Sequence, residues 1–171
     1  LALHRHDVVI ADCAMPPHAN VRGYSHLLGE SAIGFFGTAA LAARRDGDFP
    51  RCLDGAPLLL PSDETVMRSK LMRWFDAEGI NPIIVAEFDD SALVKAFGQA
   101  GAGIFCAPVA IANQIEEQYH VVELGRTQAI KEQIYAISIE HRLTHPALVA
   151  IRTAAREELF NPRARRRSHR S

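Results

Sequence analysis

Apolar runs that stop abruptly on acidic side chains constrain this chain more than any other feature. Residues 8–11 (Val-Val-Ile-Ala) lead into Asp12, and residues 58–60 (Leu-Leu-Leu) lead into Pro61-Ser62-Asp63-Glu64-Thr65. Residues 83–86 (Ile-Ile-Val-Ala) lead into Glu87-Phe88-Asp89-Asp90. Short apolar runs bounded by turn residues read as buried strands. Helical periodicity then takes over: residues 65–78 place Val66, Met67, Lys70, Leu71, Trp74 and Phe75 along one face, closed by Gly79 as a left-handed cap. A second helix, 90–99, carries Leu93, Val94, Ala96 and Phe97, and a further apolar run, 104–106, follows Gly101. Strands alternating with helices imply an α/β fold with parallel pairing. In such sheets small molecules bind in the crevice beyond the carboxyl ends of the strands, which is where all three acidic stretches fall.

The rest of the pattern predicts strands at 26–28, 32–36, 121–124 and 134–139, a short helix at 38–45 and a connector at 52–57. Helices are expected from Pro108 to about 119 and at 146–160, with Pro146 in the first turn. The chain reaches its first strand within eight residues, so a neighbouring strand and helix are expected upstream. With 171 residues and a 48% hydrophobic fraction, it can bury one good core or two small ones. No apolar run approaches the roughly 20 residues needed to cross a bilayer, and no charged-then-apolar leader is expected, so no membrane partner and a cytoplasmic location are the reading.

The three cysteines, Cys13, Cys52 and Cys106, are widely spaced without a CxxC pair, which argues against a disulfide framework or zinc ribbon. Net charge is -1, and the basic cluster at 163–167 reads as a solvated tail. The remainder offers no basic face, so any DNA-binding element lies outside these residues. Gly101-Ala102-Gly103 ends a helix rather than opening one, which is the wrong side for a phosphate cradle. Cys106 continues the apolar run Ile104-Phe105 and reads as a packed thiol rather than a nucleophile. His141 and His145 have i, i+4 spacing, but Pro146 disfavours helix at His145. His4, His6 and the others read as surface positions able to titrate near neutrality.

The acidic edge admits two uses. Asp12, Asp63, Glu64, Glu87, Asp89 and Asp90 could converge on a hard cation, which takes oxygen ligands. Alternatively, Asp89, Asp90 and Ser91, and Ser62, Asp63 and Thr65, cap two helix N-termini. Capping is the ordinary use for Asp90, and both uses stand open for Asp63.

Several segments, in order, resemble the effector-binding domain of LysR-type transcriptional regulators: LALHRHDVVIAD, LLLPSDET, RWFDAEGINPIIVAEFDDSALVKAFGQAGAGIFCAP, VVELGR and HPALVAIR. Within that family the wording is nearest to regulators of sodium/proton antiporter genes. The resemblance implies a periplasmic-binding-protein-like α/β fold, two subdomains joined by two crossing strands, with a small effector between them. Subdomain I would comprise residues 1–37 plus 140–160, incomplete at its amino end, subdomain II residues 38–139, and the tail 161–171. Such regulators carry a helix-turn-helix and a linker helix, absent here, through which they bind DNA, and they form dimers or higher homo-oligomers. The positions expected to face the cleft are Asp12, Ser62, Asp63, Glu64, Thr65, Phe88, Asp89 and Pro108, with Asp12, Asp63, Glu64 and Asp89 as ligands if the effector is a cation such as sodium. No cofactor and no catalysis are expected. Two other readings share the bilobal scaffold, a solute-binding protein of a transport system and an α/β lyase, because fold alone does not fix function.

Overall fold

Successive side chains of a strand point to opposite faces of its sheet, and the central strands here sort their residues accordingly. In β3 (Pro57–Pro61), Leu58 and Leu60 join one core cluster while Leu59 joins another. In β5 (Ile104–Pro108), Ile104 goes to the first cluster, and Phe105 and Ala107 to the second. The first cluster is completed by Leu71, Trp74 and Phe75 of helix α2 (Val66–Glu78), the second by Val94 of α3 (Ser91–Gln99) and Ala112 and Ile115 of α4 (Ala112–Tyr119). The result is three layers, α2 on one face of the sheet and α3 with α4 on the other.

The computed structural model describes residues 8–11, 14, 15, 23–138, 149, 153 and 155. The chain divides into two units, one formed by Leu1–Ser31 with Glu132–Ser171 and the other by Ala32–Lys131. In the first, β1 (Val8–Ala11) pairs antiparallel with the end of β6 (Val122–Ser138), Val8 opposite Ser138 and Ala11 opposite Tyr135. His26 Nε2 lies 3.2 Å from the Ser138 hydroxyl in the same unit. In the second, the strand order is β6, β2 (Tyr24–Gly37), β5, β3 and β4 (Ile83–Phe88). Here β3 pairs parallel with both β4 and β5, as the strand–helix alternation predicts, whereas β2 runs antiparallel to β5.

Three expectations change. The strands predicted at 26–28 and 32–36 are one strand, β2, and those at 121–124 and 134–139 are one strand of 17 residues, β6. Apolar periodicity lapses at Gly29-Glu30-Ser31 and across 125–133, yet a strand is held by its backbone ladder and needs no apolar side chain at each position. The predicted helix at 38–45 contracts to α1 (Ala39–Ala42), capped by Thr38. Of the predicted helix at 146–160 only residues 149, 153 and 155 are described, each in helical conformation, while the basic run at 163–167, Cys13, His4, His6, His141 and His145 lie outside the described residues. Among the described residues no helix is long and apolar enough to cross a membrane.

Candidate functional site

Because β3, β4 and β5 are parallel, their carboxyl ends, Pro61, Phe88 and Pro108, share one edge of the sheet. The chain leaves β3 toward one face, into α2, and leaves β4 and β5 toward the other, into α3 and α4. Connections that diverge to opposite faces open a crevice at the strand ends, where open α/β sheets take up ligands. Here the β3 and β4 ends are tied by a hydrogen bond that Ser62 N donates to Phe88 O at 3.0 Å.

The two helices that start at this rim are capped by oxygen. Thr65 Oγ1 accepts from Arg68 N at 3.1 Å and donates to Ser62 O at 2.9 Å, and Asp90 Oδ1 accepts from Ala92 N at 2.7 Å. Each cap satisfies an amide that the helix leaves without an internal partner. The capping use therefore holds for Asp90, while at α2 the cap is Thr65 and not Asp63.

Of the expected cleft positions, Ser62, Asp63, Glu64, Thr65, Phe88, Asp89 and Pro108 all lie at this one edge, and Asp12 lies outside the described residues. Asp63, Glu64 and Asp89 are exposed, and Ser62, Thr65, Phe88 and Pro108 are half-buried. The Phe88 ring leans on Phe97 with centroids 5.3 Å apart, and Pro108 closes the β2–β5 ladder opposite Ile33. Among the described residues, no three His, Cys, Asp or Glu side chains cluster closely enough to hold a metal ion.

What sequence reasoning missed is Arg68. It projects from the first turns of α2 and is only 7% exposed. Its Nη2 lies 2.8 Å from Glu87 Oε1 and 3.5 Å from Asp63 Oδ1, and its Nη1 donates to Pro61 O at 3.3 Å. Burying a guanidinium is costly unless it is paired and hydrogen-bonded, so these partners are what permit a charged residue there. A signal existed in the sequence. Arg68 precedes Leu71 by three and Phe75 by seven positions, which places it on the buried face of the helix. Two carboxylates, Asp63 and Glu87, stand beside it, and Glu64, Asp89 and Asp90 follow in the same two strand-end segments, so residues 62–68 and 87–90 carry five acidic side chains and one basic one.

The two described cysteines are packed into the core rather than set up as nucleophiles. Burial pushes the Cys52 thiol up, leaving it protonated at neutral pH, and Cys106 packs against the first core cluster.

A family model described as the LysR substrate binding domain matches residues 2–160. The chain is 34% identical over 165 residues to the transcriptional activator protein NhaR of Escherichia coli (strain K12), covering 96% of this chain and 54% of that protein. It thus spans about half the length of that relative. Among solved structures, the effector domain of the transcriptional regulator AmpR of Pseudomonas aeruginosa superposes with a TM-score of 0.65 at 19% identity, covering 98% of this chain and 78% of that one. The Synechocystis PCC6803 CcmR regulatory domain in complex with 2-PG gives 0.61 at 12% identity, covering 94% and 77%.

Proposed function

From the premise that this chain belongs to the LysR substrate-binding-domain family, we propose that it is the effector-sensing domain of a LysR-type transcriptional regulator. The finer reading is sodium- or pH-responsive control of sodium/proton antiporter genes. In it, DNA is bound through a helix-turn-helix outside these residues, by a homodimer or higher homo-oligomer in the cytoplasm. Membership of a family of regulators displaces the lyase and transport readings. The observation that supports the finer reading is the run of acidic residues at the ends of β3 and β4, on a chain similar over 96% of its length to a transcriptional activator. The residues proposed to meet the effector are Asp12, Ser62, Asp63, Glu64, Thr65, Phe88, Asp89 and Pro108. The proposed subdomains are residues 1–37 with 140–160, and 38–139.

No covalent step is involved. An effector moves a regulator between two states only by the difference in its affinity for them, so a rim that favours one state over the other is sufficient. Direct support comes from titrating the intact protein with sodium, lithium and potassium chlorides at constant ionic strength while following its thermal midpoint. A ligand that binds the native state alone raises that midpoint. A rise selective for sodium is expected; equal shifts with all three salts, or none, would remove sodium as the effector.

A further inference from the structure

Helix α2 is held on two sides by residues only two positions apart. Successive helical side chains turn by about 100°, so Arg68 and Lys70 leave α2 in nearly opposite directions. Arg68 Nη1 donates to Pro61 O at 3.3 Å and its Nη2 lies 2.8 Å from Glu87 Oε1, which fixes the helix to the carboxyl ends of β3 and β4. Lys70 Nζ reaches the other way and donates to the backbone carbonyl of Lys131, on β6, at 2.9 Å. Within the second unit β4 and β6 are the two outermost strands of the sheet, so one helix ties both of its flanks. The β6 end of this tie falls at a particular place. Lys131 is the last residue of the second unit, and from Glu132 the same strand continues in the first. Its neighbour Ile130 is buried in the same core cluster as Leu71, Trp74 and Phe75 of α2. A close-packed interior transmits strain rather than absorbing it, so α2 shifts as one piece.

We propose that α2 is the link through which the β3–β4 edge governs β6 at the point where it leaves the second unit, and that Lys70 is the positioning residue at the far end of that link. The proposal rests on the reading that an effector meets the β3–β4 edge. An effector that draws on 61–65 or 87–89 alters what Arg68 holds, Arg68 shifts α2, and the Lys70 ammonium takes the Lys131 carbonyl with it. Coupling of this kind requires only that two arrangements of α2 differ in how well its two ends are satisfied.

The link is tested without any effector, by hydrogen–deuterium exchange of the intact protein as wild type, E87Q, K70M, K70M/E87Q and K70R/E87Q. Glu87→Gln disturbs the edge by removing the charge that Arg68 holds, whereas Lys70→Met keeps the hydrocarbon stem and removes the donor. With Lys70 present, E87Q should speed exchange in peptides covering 128–134 by about two- to tenfold, the range that one net hydrogen bond is worth. With Met at position 70, E87Q should leave 128–134 unchanged while still acting on 83–88. K70R/E87Q, which restores a cationic donor, should regain the response. If E87Q leaves 128–134 unmoved, or moves it equally with and without Lys70, the link is overturned. If K70M perturbs 128–134 but E87Q never reaches it, Lys70 only fastens β6 locally and the link fails as well. Should E87Q not fold, Asp63→Asn supplies the disturbance at the edge, since Asp63 Oδ1 lies 3.5 Å from Arg68 Nη2 on an exposed side chain, and the same outcomes decide. Because no effector is added, these outcomes are independent of the sodium titration, which alone decides whether sodium is the effector.

Discussion

Helices α2 and α3 begin alike and are held quite differently. Each follows a parallel strand, each starts at the same edge of the sheet, and each has an oxygen cap, Thr65 for one and Asp90 for the other. Beyond the first turn the resemblance ends. Helix α2 buries Arg68, Leu71, Trp74 and Phe75, and Trp74 joins an aromatic cluster in which it stacks on Phe35 at 5.4 Å and on Phe49 at 6.0 Å. Helix α3 buries Val94 and Gly98, leaving Leu93 and Phe97 about half exposed. The difference teaches that the β3 side of the rim is anchored by an extended aromatic cluster and an ion pair, while the β4 side rests on a cap, Val94 in the second core cluster, a single Phe88–Phe97 ring contact and the close approach of Gly98 to Phe105.

Substitutions can break that contrast or sharpen it. The largest effect is expected at the anchored helix: Phe75→Ala should cost about 3–5 kcal/mol in urea unfolding, through lost transfer energy and a cavity among Phe35, Trp74 and Leu71. Next is the close approach under α3, where a methyl added at Gly98 would run into the Phe105 ring. Gly98→Ala should cost about 1–3 kcal/mol by overpacking, despite the better helix propensity of alanine. Removing the caps with Thr65→Ala or Asp90→Ala should cost about 1 kcal/mol each. Hydrogen exchange should show the Asp90 variant freeing the first turn of α3, and the Thr65 variant leaving α2 protected beyond its first turn. The smallest effect is expected at Phe97→Ala, about 0.5 kcal/mol, because a half-exposed ring loses little burial beyond its contact with Phe88. If Phe97→Ala proved as costly as Phe75→Ala, the two helices would be equally anchored and the contrast would fall.

The sequence carried the parallel core well because periodicity and capping chemistry speak locally. Leu58, Leu59 and Leu60 announce a buried strand, and Gly79, with φ 67°, ends α2 in the left-handed conformation that glycine adopts most readily. That 62–65, 88–89 and 108 share one edge of the sheet was readable from strand ends alone, since parallel pairing puts such ends on one side. The long strands β2 and β6 were not readable as wholes. Their continuity resides in backbone pairing through stretches such as 125–133, whose side chains follow no two-residue period. Arg68 was passed over because a charged residue in a helix is ordinarily solvated; only the ends of β3 and β4, brought beside it by the fold, make its burial tolerable. Exposure of Ile83, Ile84 and Val85 was equally hidden, because an edge strand has the same apolar composition as a central one.

The measurement that bears most directly on the sensing edge is hydrogen–deuterium exchange of the intact protein with sodium chloride against choline chloride at equal ionic strength. Protection should increase in peptides covering 61–68 and 87–92, with the rest of α2 unchanged. Sodium-dependent protection that appears only elsewhere in the chain, with 61–68 and 87–92 unmoved, would mean that the ends of β3 and β4 are not where the effector is held.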